Sequence, residues 1–410
     1  MAATTPGSAE ADDALPVVAA HPGWRATLSG YVQVDSIAWS QTSVDELDPS
    51  GQPLDEQRIL IRRGRLRVEA ERAAIFAAFE LDGNTQGGPT ARILGAQVGW
   101  RYRRSDAPAA PPLITATAGL IKIPFGVEVP ASERDKPFLE PPTAARALFP
   151  GNYDGGAAIE GGYGLARWAL AITNGAPVGD AQWKGKDPAS SYDFVGRLGA
   201  DVALPLDLRI VAGVSGLSGT GLHPGTPAIK DSIQWVDDNQ NGRVDPTELQ
   251  IIPGSPGEPS QTFSRSALGG DLQLHWVLDA LGDGAAFFEI VAASNLDRGV
   301  VYSDPVSLSR DGRQLGITVG AVQRITEHAR VGVRYDRYDA DRDAHDREGV
   351  ALVNVHKVFS TLAVNATAEW HDARVTVEYD HERNPFGRGD GGAPITRAAD
   401  RVTLRAQVGF

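Results

Sequence analysis

The sequence predicts an all-β fold, a transmembrane antiparallel β-barrel of about sixteen strands. Three observations carry this. Apolar and polar residues alternate with a period of two along most of the chain, as strands with one dry and one wet face do. The connections alternate between short and long, as they do when every second turn lies on the same rim. No run of about 18 apolar residues occurs, which excludes a spanning helix, whereas spanning strands need only about 9–11 residues.

The elements follow in order. Residues 1–22 are rich in Ala, Pro, Gly and acid and are expected to be disordered, leaving 23–410 for the barrel. The first strand covers 24–40, with Ala26, Leu28, Gly30, Val32 and Val34 on one face and Thr27, Ser29, Gln33 and Asp35 on the other. Strand two, 58–70, puts Leu66 and Val68 on the apolar face and Arg63, Arg65 and Arg67 opposite. Strand three covers 73–83. Strand four, 90–103, carries Leu94, Ala96, Val98, Trp100 and Tyr102 outward, the last two as an interfacial aromatic girdle.

Strand five ends near residue 123, and alternation is then absent over 124–154. A connection that long is usually functional. Further strands are expected at 155–162, 164–174, 191–202, 207–218, 263–278, 285–296, 314–325, 328–338, 355–370, 373–383 and 400–410. In the last, Val402, Leu404, Ala406, Val408 and Phe410 share one face, and Arg401, Thr403, Arg405 and Gln407 the other. An even strand count brings both termini to the rim of short, periplasmic turns. The long loops, 219–262 among them, are then extracellular.

Composition bounds the function. The net charge of −13 argues against nucleic acid as a partner. With no cysteine, disulfides and cysteine metal sites are excluded. The opening Met1-Ala2-Ala3-Thr4 lacks the basic and apolar regions of a signal peptide. An exported barrel needs one, so a mature chain with an added Met is expected.

Two resemblances add to this reading. The terminal strand resembles the sorting signal of bacterial outer-membrane barrels, which end in Phe, and this implies engagement with the barrel assembly machinery. Gly30-Tyr31-Val32-Gln33-Val34-Asp35, the run Ile61-Arg62-Arg63-Gly64-Arg65-Leu66-Arg67-Val68 and Gly119-Leu120-Ile121-Lys122-Ile123-Pro124-Phe125-Gly126 resemble stretches of the phosphate-selective porin O and P family. The Gly-rich strand at 155–162 and Asn174-Gly175 fit the same pattern. The chain departs from that family in having Leu120 where a polar residue is frequent. It also lacks a dense ladder of lysine and arginine. The resemblance implies a homotrimeric channel in the outer membrane whose third outer loop, 124–154, folds into the lumen as a constriction.

A barrel of this size leaves an aqueous channel, so inward side chains set what passes. The expected pore-lining bases are Arg63, Arg65, Arg67, Arg101, Lys122, Arg197, Arg265 and Arg334. Inward acids include Asp35, Glu80, Asp82, Asp271, Asp336 and Asp380. On the constriction loop, Arg134, Lys136 and Arg146 face Glu128, Glu133 and Glu140. Two readings stand: rings of Arg that draw small anions, phosphate among them, or cross-strand ion pairs that only solvate the wall.

The segment from Asp237 to Glu248 fits the twelve-residue calcium loop at every position. Asp237, Asn239 and Asn241 supply oxygens, Gly242 the sharp turn, Arg243 a carbonyl, Asp245 position nine and Glu248 a bidentate carboxylate. A structural Ca2+ that orders the fifth outer loop is expected. No Ser-centred Gly motif accompanies the scattered histidines, so no enzymatic activity is expected. The sequence therefore reads as a porin for passive diffusion. The competing class is a structural or adhesive barrel with a plugged lumen and surface-binding loops.

Overall fold

The computed structural model describes residues 23–104, 110–180, 191–348, 351–354 and 357–410, and the segment 1–22 lies outside them. The barrel wall opens with β1 (Arg25–Gln41), β2 (Glu56–Arg72), β3 (Ile75–Asn84), β4 (Thr90–Tyr102) and β5 (Ile114–Lys122). It continues through β6 (Tyr153–Tyr163), β7 (Ala166–Thr173), β8 (Asp193–Leu204) and β9 (Leu208–His223). A two-stranded ribbon, β10 (Ser232–Trp235) with β11 (Leu249–Ile252), stands on the loop between β9 and β12 (Gln261–Leu278). The wall resumes with β13 (Gly282–Ser294), β14 (Arg313–Thr326) and β15 (Ala329–Asp339). A second ribbon, β16 (His345–Glu348) with β17 (Ala351–Asn354), precedes β18 (Val358–Trp370), β19 (Ala373–Arg388) and β20 (Pro394–Gly409).

Sixteen antiparallel strands close on themselves, β20 pairing with β1 from Tyr31 opposite Gly409 to Gln41 opposite Ala399. Gly30 and Phe410 exchange both backbone hydrogen bonds at 3.0 Å. The Phe410 ring lies where a side chain on residue 30 would stand, so the seam requires glycine there. Each strand of the alternating pattern is present, with ends shifted by a few residues. The turn between the strands expected at 155–162 and 164–174 lies at Gly164 and Leu165, and Gly161, Gly162 and Tyr163 stay in β6.

Alternation sets the two faces. Along β1, Val32 is 44% exposed and Val34 37%, whereas Gln33 is 0% and Asp35 1%. Outside, then, is apolar, and inside is polar. In the bilayer a closed barrel leaves no unpaired edge, and this outward band meets lipid.

Within the first four strands two bulges break the parity. One between Gln33 and Val34 brings Arg62 as well as Arg63 to the interior. Another between Glu80 and Leu81 corrects the expectation for Leu94. It is buried at 1% exposure, and Ile93 takes the outward place.

Residues 123–152 run across the interior. Phe125 packs against Gly269 of β12, Leu139 N–H donates to Glu378 of β19, and Thr143 N–H donates to Asp336 of β15. The short helix α1 (Thr143–Leu148) lies on this segment. Its apolar side packs on inward residues of the upper wall: Val195, Leu217, Ala267, Val291 and Ala293. The Phe125 and Phe149 rings meet beside it, tilted by 33° with their centres 4.8 Å apart. The upper interior thus holds a dry core. The 295–312 loop seals it from above, where Arg298 and Gly299 N–H both donate to Ala147 O.

Candidate functional site: the crossed interior of the barrel

The segment 123–152 is fixed by charges that the wall strands present. Glu140 meets Arg62 at 2.5 Å and Arg405 at 3.4 Å, and Arg334 donates to its carbonyl at 2.6 Å. Glu133 meets Arg63 at 2.9 Å and Lys136 at 2.7 Å, and Lys136 also reaches Glu128 at 2.8 Å. Glu289 of β13 accepts from Val127 and Glu128 N–H, and Gly126 N–H donates to Ser215. Burial alone would raise the Glu140 carboxyl. The Arg62, Arg63 and Arg405 guanidinium groups reverse this and hold it well below the ordinary range. Burial likewise opposes Glu133, and Lys136 and Arg63 pull it below its ordinary value.

Most of the bases singled out in the sequence carry a carboxylate partner. Arg65 reaches Asp82 at 3.4 Å and Glu80 at 3.5 Å, and Arg67 reaches Glu69 at 2.9 Å. Arg197 grips Asp271 and Arg265 grips Asp193. Arg334 lies beside Asp336 at 3.6 Å, and Arg101 beside Glu69 at 3.8 Å. Arg134 extends to Asp372 in the turn after β18, and Arg146 lies exposed on α1 with Thr143 as its partner. Lys122 differs. Its ammonium donates to the carbonyls of Pro130 and Ala131 at 3.1 and 2.9 Å, and among the described residues no carboxylate pairs with it. Sequence parity missed Arg62, because a bulge cannot be read from alternation alone.

The crossing segment leaves two unequal spaces. The larger, about 1730 Å³, is lined by Lys136, Arg167, Arg209, Arg324, Arg330 and Arg334, and by Glu128, Asp135, Asp201, Asp207, Asp283 and Glu289. Bases and acids there are equal in number. They also pair: Asp201 takes Arg167 and Arg209, and Asp283 takes Arg324 and Arg330. The smaller, about 480 Å³, lies against β1 to β6. It is lined by Arg65, Arg67, Arg101, Lys122 and Arg134, and by only two acids, Glu80 and Glu160.

The segment from Asp237 to Glu248 lies far from this interior, between the two strands of the β10–β11 ribbon. Asp237 accepts from Asn241 and Gly242 N–H at 3.1 and 2.9 Å, and Asn241 accepts from Arg243 N–H at 2.7 Å. Gly242 has φ +68°, the left-handed turn that position needs. Pro246–Glu248 form a 3-10 turn in which Asp245 and Glu248 cap each other, and Glu248 accepts from Trp235 Nε1 at 3.0 Å. All the candidate donors are hard oxygens, which suits calcium. Among the described residues no three His, Asp or Glu side chains converge closely enough to hold a metal.

No family model matches the chain, and no curated protein does. Solved structures do. The outer-membrane channel DcaP of Acinetobacter baumannii is similar, with a TM-score of 0.59 at 12% identity, over 95% of this chain and 98% of that one. The fold is that of the outer-membrane porins. An anion-selective porin from Comamonas acidovorans matches with a TM-score of 0.55 at 10% identity, over 94% of this chain and 100% of that one. A trimer form of OmpT, an outer-membrane protein of Vibrio cholerae, matches at 0.50 and 11%, over 94% and 99%. A closed barrel with an apolar outer band and this fold belongs in the bacterial outer membrane.

Proposed function

We propose that the chain is an outer-membrane channel through which small solutes diffuse passively, with no covalent chemistry and a preference for anions. The observation that carries this is the interior itself: a polar bore crossed by one segment, which leaves a wide neutral space and a narrower one where Lys122 has no carboxylate partner among the described residues. Arg63, Arg65, Arg67 and Lys122 line the bore, and the crossing segment, with Glu128, Arg134 and Lys136, constricts it. Within a Debye length of about 8–10 Å, a local unpaired cation such as Lys122 outweighs the net negative charge of the whole chain. The anion-selective Comamonas porin shares the fold.

The test is the reversal potential in a planar bilayer under a KCl gradient. Reversal toward the chloride potential is expected. Block of that current by millimolar phosphate would narrow the solute to phosphate, whereas reversal toward the potassium potential would overturn the anion preference.

A second reading, a plugged structural or adhesive barrel, is favoured by the dry core that fills part of the upper interior. It predicts no conductance. Two finer assignments complete the proposal. The barrels assemble as trimers, a form in which the similar OmpT occurs. The segment from Asp237 to Glu248 takes a structural Ca2+ through Asp237, Asn239, Asn241, Asp245, Glu248 and the Arg243 carbonyl.

A further inference from the structure

The smaller space has the features of a binding site as well as of a passage. Its floor is Tyr31 of β1, which is 6% exposed and whose buried hydroxyl has no hydrogen-bond partner among the described residues. Nearly all buried polar groups have partners, so a buried donor left without one points to something that completes it. Lys122, on the facing wall, has an ammonium with three donors, two of which go to Pro130 and Ala131 carbonyls. The third has no oxygen partner among the described residues, and the ammonium lies 5.6 Å from the centre of the Tyr153 ring.

Arg101 lies over the Phe76 ring at 4.6 Å, and its nearest carboxylate, Glu69, is at 3.8 Å. It too holds donors in reserve. The acids that face the space are Glu80, already shared by Arg65 and Arg67, and Glu160. Glu69 beside Arg67 and Arg101, Asp82 beside Arg65 and Asp372 beside Arg134 offset the other bases, so Lys122 is the base of this space that has no carboxylate partner among the described residues.

From these groups we infer that the smaller chamber is a subsite for a small oxyanion. Tyr31 Oη and Lys122 Nζ donate to a carboxylate or phosphoryl oxygen, and Arg101 supplies the further positive charge. At ~30 Å³ per water, about 480 Å³ holds roughly sixteen waters, which suits an anion of a few to ten heavy atoms and excludes oligomers. The Tyr31, Phe76 and Tyr153 rings give the chamber an apolar side that an aromatic acid can use. This deepens the diffusion reading and rests on it, since the anion must enter from bulk water. In this picture the wide space passes solutes and the chamber retains some of them.

The test is isothermal titration of the full-length protein in detergent micelles with benzoate and, separately, with inorganic phosphate. Binding of either is expected, and which one binds tells a planar carboxylate from a tetrahedral phosphoryl group. Tyr31→Phe and Arg101→Gln should each weaken it about tenfold and Lys122→Gln at least as much. Lys230→Gln, the same charge change on the outer loop, should leave it as it was. Wild-type protein that binds neither probe, or variants that bind as well as wild type, would overturn the subsite. Because titration needs no current, the two readings fail separately. Protein that conducts anions but binds nothing loses the subsite alone, and protein that binds but does not conduct loses the channel alone.

Discussion

Arg405 and Asp35 face each other across the seam that joins the last strand to the first, with Nε and Nη2 of the guanidinium each 2.7 Å from one carboxylate oxygen. Both side chains are almost fully buried. Such a bidentate pair fixes register as well as proximity, because a shift by one residue would part it.

Breaking the pair by removing one partner leaves a buried charge without compensation. Arg405→Ala should lower stability by about 3–5 kcal/mol. The measurement is the midpoint of urea unfolding in detergent. A loss under about 1 kcal/mol, as for an exposed pair, would show that the seam does not depend on it.

Glu140 should behave as a clasp for the crossing segment. Glu140→Gln leaves Arg62 without its carboxylate and Arg405 with Asp35 alone, and larger, noisier single-channel currents are expected as the segment loosens. The pH dependence follows from the sign of the shift. The Glu140 carboxyl lies below its ordinary value of 4.5 in the folded chain, so its contribution is fully present above that pH. It is lost only as pH falls through the lower folded value. Conductance noise should therefore stay level from neutrality down to about pH 4.5 and rise only in stronger acid. A rise near pH 6 would contradict the assignment.

Calcium should protect the outer ribbon. With Ca2+, proteolysis within 224–260 should slow several-fold relative to EDTA, and Trp235 emission should shift because its indole N–H is bonded to Glu248. Asp237→Asn should abolish both effects. Equal cleavage with and without the ion would remove the metal from the proposal.

Gly126 should not tolerate alanine. Its φ is +61°, and a Cβ there would lie 2.5 Å from Oε1 of Glu289, whose Oε2 accepts from the next two N–H groups. A cost of about 1–3 kcal/mol is expected for the strained backbone. It would be seen as a lower unfolding midpoint and an altered conductance.

The wall was legible in the sequence because alternation is local. Each strand declares its two faces without reference to its neighbours. Leu94 and Arg62 were not legible, since a bulge adds a residue to one strand and reverses parity beyond it. Nor was the dry core. Val195, Leu217 and Ala267 occupy inward positions, and nothing in their own strands says that a segment from elsewhere covers them. Ion-pair partners were hidden for a similar reason: Arg62 finds Glu140 through the path of a loop, not through register. The site at Asp237 to Glu248 was legible as a motif because all its donors lie within one contiguous stretch. Tyr31 appeared only as part of a longer motif, since a missing hydrogen-bond partner is a property of three dimensions.

Arg405 also touches Glu140 at 3.4 Å and donates to the Leu139 carbonyl at 2.9 Å. One guanidinium thus serves both the closure of the wall and the seating of the segment inside it. The two events are thermodynamically linked, so whatever favours one favours the other by the same free energy. A double-mutant cycle between Arg405 and Glu140 should return a coupling of about 0.5–3 kcal/mol. A barrel built this way holds its seam more firmly with the interior filled than with it empty.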